Sequence, residues 1–150
     1  LGHFTFWTDL TRLSATDADE TRWWIRWYEA HRDGIPRFAY EATTADPADG
    51  RSWMAIQPWS GDDGYLFAFR QGGAGASELI RLQGLTPSHS YSLTDVRTGR
   101  VLGIFSGASL AAGLRLTLGA RYTSEVIAVA GSTSCGVICP ATPSLPLTSR

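Results

Sequence analysis

From residue 37 to residue 130 the chain runs in short segments of β-type residues, several with period-two alternation. RFAYEA, SWMAIQP, GYLFAFRQ, ELIRLQ, YSLTDV, RVLGIF, LRLTL and EVIAVA are rich in β-branched and aromatic residues. Turn residues separate them at roughly the 8–12-residue spacing of an antiparallel sandwich. In GYLFAFRQ, Tyr65, Phe67 and Phe69 alternate with Leu66, Ala68 and Arg70, so the two sets face opposite sides of a strand. In YSLTDVRTGRVLG, Thr98-Gly99 marks a hairpin turn. Asp95 is placed to shape that turn through its side chain. SGASLAAG, residues 106–113, reads as a small excursion before the next strand.

The pattern differs before residue 37. Phe4 and Phe6 alternate about Thr5 as in a strand. Thr16 then precedes Asp17, Asp19 and Glu20, an acidic first turn that complements a helix dipole. Thr16 with Asp19 imitates a capping box. Trp23, Trp24, Trp27, Tyr28 and His31 fall on one helical face, and Arg22, Arg26, Glu29 and Asp33 on the other. Gly34 and Pro36 end the helix. Aromatic rings bury about 150–250 Å2 each, so this face exceeds what one strand can cover. Residues 131–150 hold three Pro and one charge without a period, and are expected to be a disordered tail.

Composition narrows the function classes. The net charge is −1, from 13 basic and 14 acidic residues in mixed order. No basic stripe exists, so no nucleic-acid partner is expected. No apolar run approaches the length that spans a bilayer, so no membrane partner is expected. Cys135 and Cys139 lack two further ligands nearby, so neither a metal site nor a cofactor is expected. QGGAGAS, residues 71–77, lacks the Lys-Ser/Thr of a phosphate loop and reads as a flexible hairpin loop. No compartment is assigned.

Glycoside hydrolysis takes two carboxylates across one bond. Asp62 and Asp63 sit together in a turn, where solvation is the ordinary fate. Asp9 follows the opening strand, and Trp7 ends it, so both are candidates for the rim of a substrate pocket. Trp53, Trp59 and Tyr65 are candidates for a carbohydrate-stacking platform, with core packing as their other role.

FTFWTDLTRLS followed by the helix ending RWYEAHR resembles the close of the (β/α)8 barrel in α-galactosidase-type glycoside hydrolases, the melibiase-like branch. Asp9, Leu10, Leu13 and Ser14 match that family's D-L-x-x-L-S turn. Trp27, Tyr28 and Arg32 match the end of its long helix. GYLFAFRQ, LIRLQGL, YSLTDVRTGRVLGIFSGASL and GLRLTL are similar to its C-terminal antiparallel domain. The resemblance implies a mainly β fold: an antiparallel β-sandwich preceded by one strand and one amphipathic helix from the end of a barrel. Residues 1–36 would be that barrel end, 37–130 the sandwich and 131–150 the tail.

The family's two catalytic Asp residues lie on earlier barrel strands, so no catalytic residue maps onto this chain. The expected function is a non-catalytic C-terminal part of a retaining glycoside hydrolase, bracing its barrel, with Trp7, Asp9, Trp53 and Trp59 as candidate substrate contacts. The missing barrel and carbohydrate are the expected partners. The alternatives are a stand-alone carbohydrate-binding module and a structural domain whose Trp-rich helix makes a homo-oligomer.

Overall fold

The computed structural model describes residues 10–36, 38–43, 47–132 and 144–147. It divides into two compact units, Leu1–Arg37 and Phe38–Arg150. The strand expected at residues 4–6 lies outside the described residues.

In the first unit, a short 3-10 turn at Leu10–Arg12 leads into helix α1, Ala15–His31. Its cap is Ser14, not Thr16. The Ser14 hydroxyl accepts from the Asp17 N–H at 3.1 Å and donates to the Asp17 carboxylate at 2.7 Å. Ser-x-x-Asp and Thr-x-x-Asp overlap in this sequence, and the earlier one satisfies the first-turn N–H groups. The Arg32 N–H closes the last turn on the Tyr28 carbonyl. The aromatic face is ordered by its own contacts. Trp24 donates to Glu20 at 2.9 Å, and the Trp27 ring stacks on His31 at 4.9 Å. No residue of α1 is buried. Ser14→Ala is expected to cost about 1 kcal/mol of helix stability, read as a loss of far-UV helical signal and faster amide exchange at Ala15–Ala18.

The second unit is a β-sandwich. Its larger sheet orders six strands as β1 (Ala39–Glu41), β2 (Trp53–Ser60), β3 (Asp63–Arg70), β8 (Thr123–Ser132), β5 (Ser90–Asp95) and β6 (Val101–Ser106). All its pairings are antiparallel. The smaller sheet orders β4 (Ser77–Ile80), β7 (Leu114–Leu118) and β9 (Ser144–Leu147). The excursion at 106–113 contains helix α2, Gly107–Ala112, capped by Ser106.

Alternation explains the core. Leu66 and Ala68 of β3, Leu93 of β5, and Ile127 and Val129 of β8 point inward from the larger sheet. Leu114, Leu116 and Leu118 of β7 meet them from the smaller one, while Arg115 and Thr117 face away. β4 stops at Ile80, short of the expected ELIRLQ run. Three residues beyond the strand, the buried Gln57 side chain satisfies the backbone groups of Gln83 in place of a neighbouring strand. Gln57 donates to the Gln83 carbonyl and accepts from the Gln83 N–H, both at 2.9 Å.

Within the stretch read as a tail, β8 runs to Ser132 and Ser144–Leu147 pairs in parallel with β7. Pro146 suits an edge strand, which has one unpaired side.

Candidate functional site

The outward face of the larger sheet is the first unusual feature. Met54 and Ile56 of β2 pair with Phe69 and Phe67 of β3. Phe67 and Tyr65 in turn pair with Val126 and Ala128 of β8. These residues point away from the core set and form one apolar patch across three strands. The Tyr65 and Phe67 rings lie 6.2 Å apart, and burial pushes the Tyr65 phenol up from its ordinary range. An antiparallel sheet with one solvated face shows polar residues there. An apolar second face marks a packing surface. The signal was present in SWMAIQP and GYLFAFRQ, where both alternate sets are apolar.

A polar cluster ties the β2–β3 turn to the loop before β5. Asp62 accepts from the Tyr91 hydroxyl at 2.8 Å and meets His89 Nδ1 at 3.1 Å. The Tyr91 oxygen also accepts from the Thr86 N–H at 2.8 Å. Asp63 accepts instead from the Gly131 N–H at 3.0 Å. The adjacent acids thus fasten different segments and do not act as a pair across one bond.

A second carboxyl pair sits at the other end of the sheet. Asp95 accepts from the Arg97 and Thr98 N–H groups at 2.8 and 3.1 Å, and from the Thr98 hydroxyl at 2.5 Å. It shapes the hairpin turn as its sequence position indicates. Glu125 on β8 stands diagonally across from it, because Asp95 pairs with Ile127. Burial first, and then the neighbouring Asp95, push the Glu125 carboxyl up to about 7.

The loops at this end are held by Arg70, which is 8% exposed. Its guanidinium donates to the Ala74 carbonyl from Nε and Nη2 at 3.2 and 3.1 Å. Its Nη1 donates to the Leu118 and Gly119 carbonyls, both at 2.7 Å. QGGAGAS, expected to be a flexible loop, is therefore pinned to the turn after β7.

The sites expected from sequence are placed as follows. Trp7 and Asp9 lie outside the described residues, as do Cys135 and Cys139. Trp53 and Trp59 are core residues, 3% and 5% exposed. The Trp53 indole donates to the Gly75 carbonyl at 2.9 Å, and Trp59 packs against Tyr91 at 6.0 Å. Neither ring offers an open face for a sugar, because their positions on β2 alternate with Met54 and Ile56 and so point into the sandwich. Tyr65 belongs to the outward patch, so the three rings do not share one platform. Among the described residues, no group of His, Cys, Asp and Glu could hold a metal ion, and no helix is long and apolar enough to cross a membrane.

No protein-family model matches this sequence, and no curated protein matches it. Among solved structures, the galactosidase domain of alpha-galactosidase-sucrose kinase, AgaSK, is similar with a TM-score of 0.60. The match covers 81% of this chain at 21% identity, and the chain spans 17% of the length of that structure. The likeness is one of fold: this sandwich is built like part of that galactosidase domain.

Proposed function

We propose that this chain is the C-terminal sandwich of an α-galactosidase-type glycoside hydrolase, and that the outward face of its larger sheet packs against the catalytic barrel. The observation that carries this reading is the apolar patch of Met54, Ile56, Tyr65, Phe67, Phe69 and Val126. A sheet apolar on both faces is one that is covered on both faces. The fold likeness to a galactosidase domain supports the choice of partner. The role is structural: the sandwich covers apolar barrel surface and stiffens it, while the carboxylates that cleave the glycosidic bond belong to the barrel.

The test begins with the coding sequence upstream of the Leu1 codon. It is expected to continue in frame for the roughly 250 residues of a barrel. The complete product is expected to hydrolyse an aryl α-galactoside, and the 150-residue chain alone to show no turnover. Phe67→Asp in the complete product is expected to loosen the sandwich, read as early proteolytic cleavage between the two parts. A start codon within a few residues of Leu1, or hydrolysis by the pure 150-residue chain, would overturn the reading.

A further inference from the structure

Tyr122 is 85% exposed and its backbone sits at φ 56°. It is the sole non-glycine residue with positive φ among those described. That region suits Gly and Asn, and for a bulky side chain it is an outlier. Strained backbone of this kind persists where surrounding structure over-determines it, and it clusters at ligand-contacting positions. The local return is small, because so little of the ring is buried.

The surroundings are built to hold it. Trp53, Arg70 and Thr123 lie in one row across β2, β3 and β8. The loops that precede Trp53, follow Arg70 and precede Thr123 therefore meet at one end of the sandwich. Arg70 clamps two of them through the Ala74, Leu118 and Gly119 carbonyls. The Gly73 N–H donates to the Gly50 carbonyl at 3.2 Å and joins the third. The Asp49 carboxylate accepts from the Arg51 and Ser52 N–H groups at 2.6 and 2.8 Å and shapes that third loop. The Tyr122 phenol lies directly over Gly72, where a Cβ would collide with it. The stem of Arg51 lies against Gly73, where a Cβ would meet its Cγ at 2.7 Å. Two consecutive glycines thus admit the exposed Tyr122 ring and the stem of the exposed Arg51 to the same short stretch of backbone.

We infer that this loop end is a carbohydrate-binding site, in which the Tyr122 ring stacks on the apolar face of a pyranose and Arg51 donates to its hydroxyls. A rigid aromatic with a polar tip supplies contact area at low entropic cost. A guanidinium beside it supplies several donors in fixed geometry. The ligand class is a neutral hexopyranose within an oligosaccharide. The site is separate from the Trp53 and Trp59 positions, and it stands whether or not the sandwich serves a barrel.

Saturation-transfer NMR on the 150-residue chain tests it, with raffinose, maltotriose and cellotriose as probes at millimolar concentration. Transfer to pyranose protons of at least one probe is expected. Tyr122→Gly is the decisive variant, because glycine relieves the backbone. It is expected to raise or preserve the melting temperature while weakening binding by about 10-fold or more. Tyr122→Trp is expected to retain binding, and Arg51→Ala to weaken it. No transfer from any probe, or binding unchanged in folded Tyr122→Gly, would overturn the inference. Neither result bears on the barrel reading, which rests on the outward face of the larger sheet and on the upstream sequence.

Discussion

Arg70→Met is expected to lower the stability of the sandwich by about 3 kcal/mol, read as a lower urea midpoint at unchanged slope. Three carbonyls, those of Ala74, Leu118 and Gly119, accept from this one guanidinium. Methionine fills much of the same volume but donates nothing. Each carbonyl left unsatisfied in a buried position costs about 1–3 kcal/mol, and those near the loop surface recover part of this from solvent. Arg70→Lys separates charge from geometry. Its ammonium is a compact point donor that cannot reach three carbonyls placed around a planar fork, so it is expected to recover less than half of the loss. A loss below about 1 kcal/mol in Arg70→Met would show that the loops hold together without the clamp.

Glu125 is expected to make the sandwich less stable as pH rises. Its carboxyl titrates at about 7 in the folded chain, against an ordinary 4.5, chiefly through burial and then through Asp95. Below the ordinary value both states carry the proton. Between the two values the folded state keeps a proton that the unfolded state has released. Stability therefore falls through this window and levels off above the folded value. The exposed part of the side chain is screened by solvent, which limits the effect to about 1–2 kcal/mol. Glu125→Gln removes the charge and keeps a donor for Asp95. Across urea unfolding at a series of pH values, it is expected to match the parent in acid and exceed it in mild base. Parallel profiles for the two proteins would show that Glu125 ionises in the folded chain as it does in the unfolded one.

The strands were legible because their information is local. Alternation in SWMAIQP, GYLFAFRQ, YSLTDV and LRLTL sets strand position and the two sets of facing residues, and the structure places strands there. Asp95 and Thr98-Gly99 were legible for the same reason, since a turn is made by neighbours in sequence. The cap of α1 was misplaced by two residues, at Thr16 instead of Ser14, because both stand three residues before an Asp. The Trp rings show the limit. Their period says that Trp53 and Trp59 share a face, but it does not say which face meets the second sheet.

By itself, then, the sequence determined a β-sandwich with one amphipathic helix ahead of it, and two apolar faces on its central strands. The tertiary structure decided what those faces meet. Tyr122 and Gly72, Arg70 and Gly119, and Glu125 and Asp95 are each about 30–50 residues apart. They come together through the register of β3, β8 and β5, which depends on pairings between distant segments. A period of two fixes which way a side chain points, and only the register fixes what it points at.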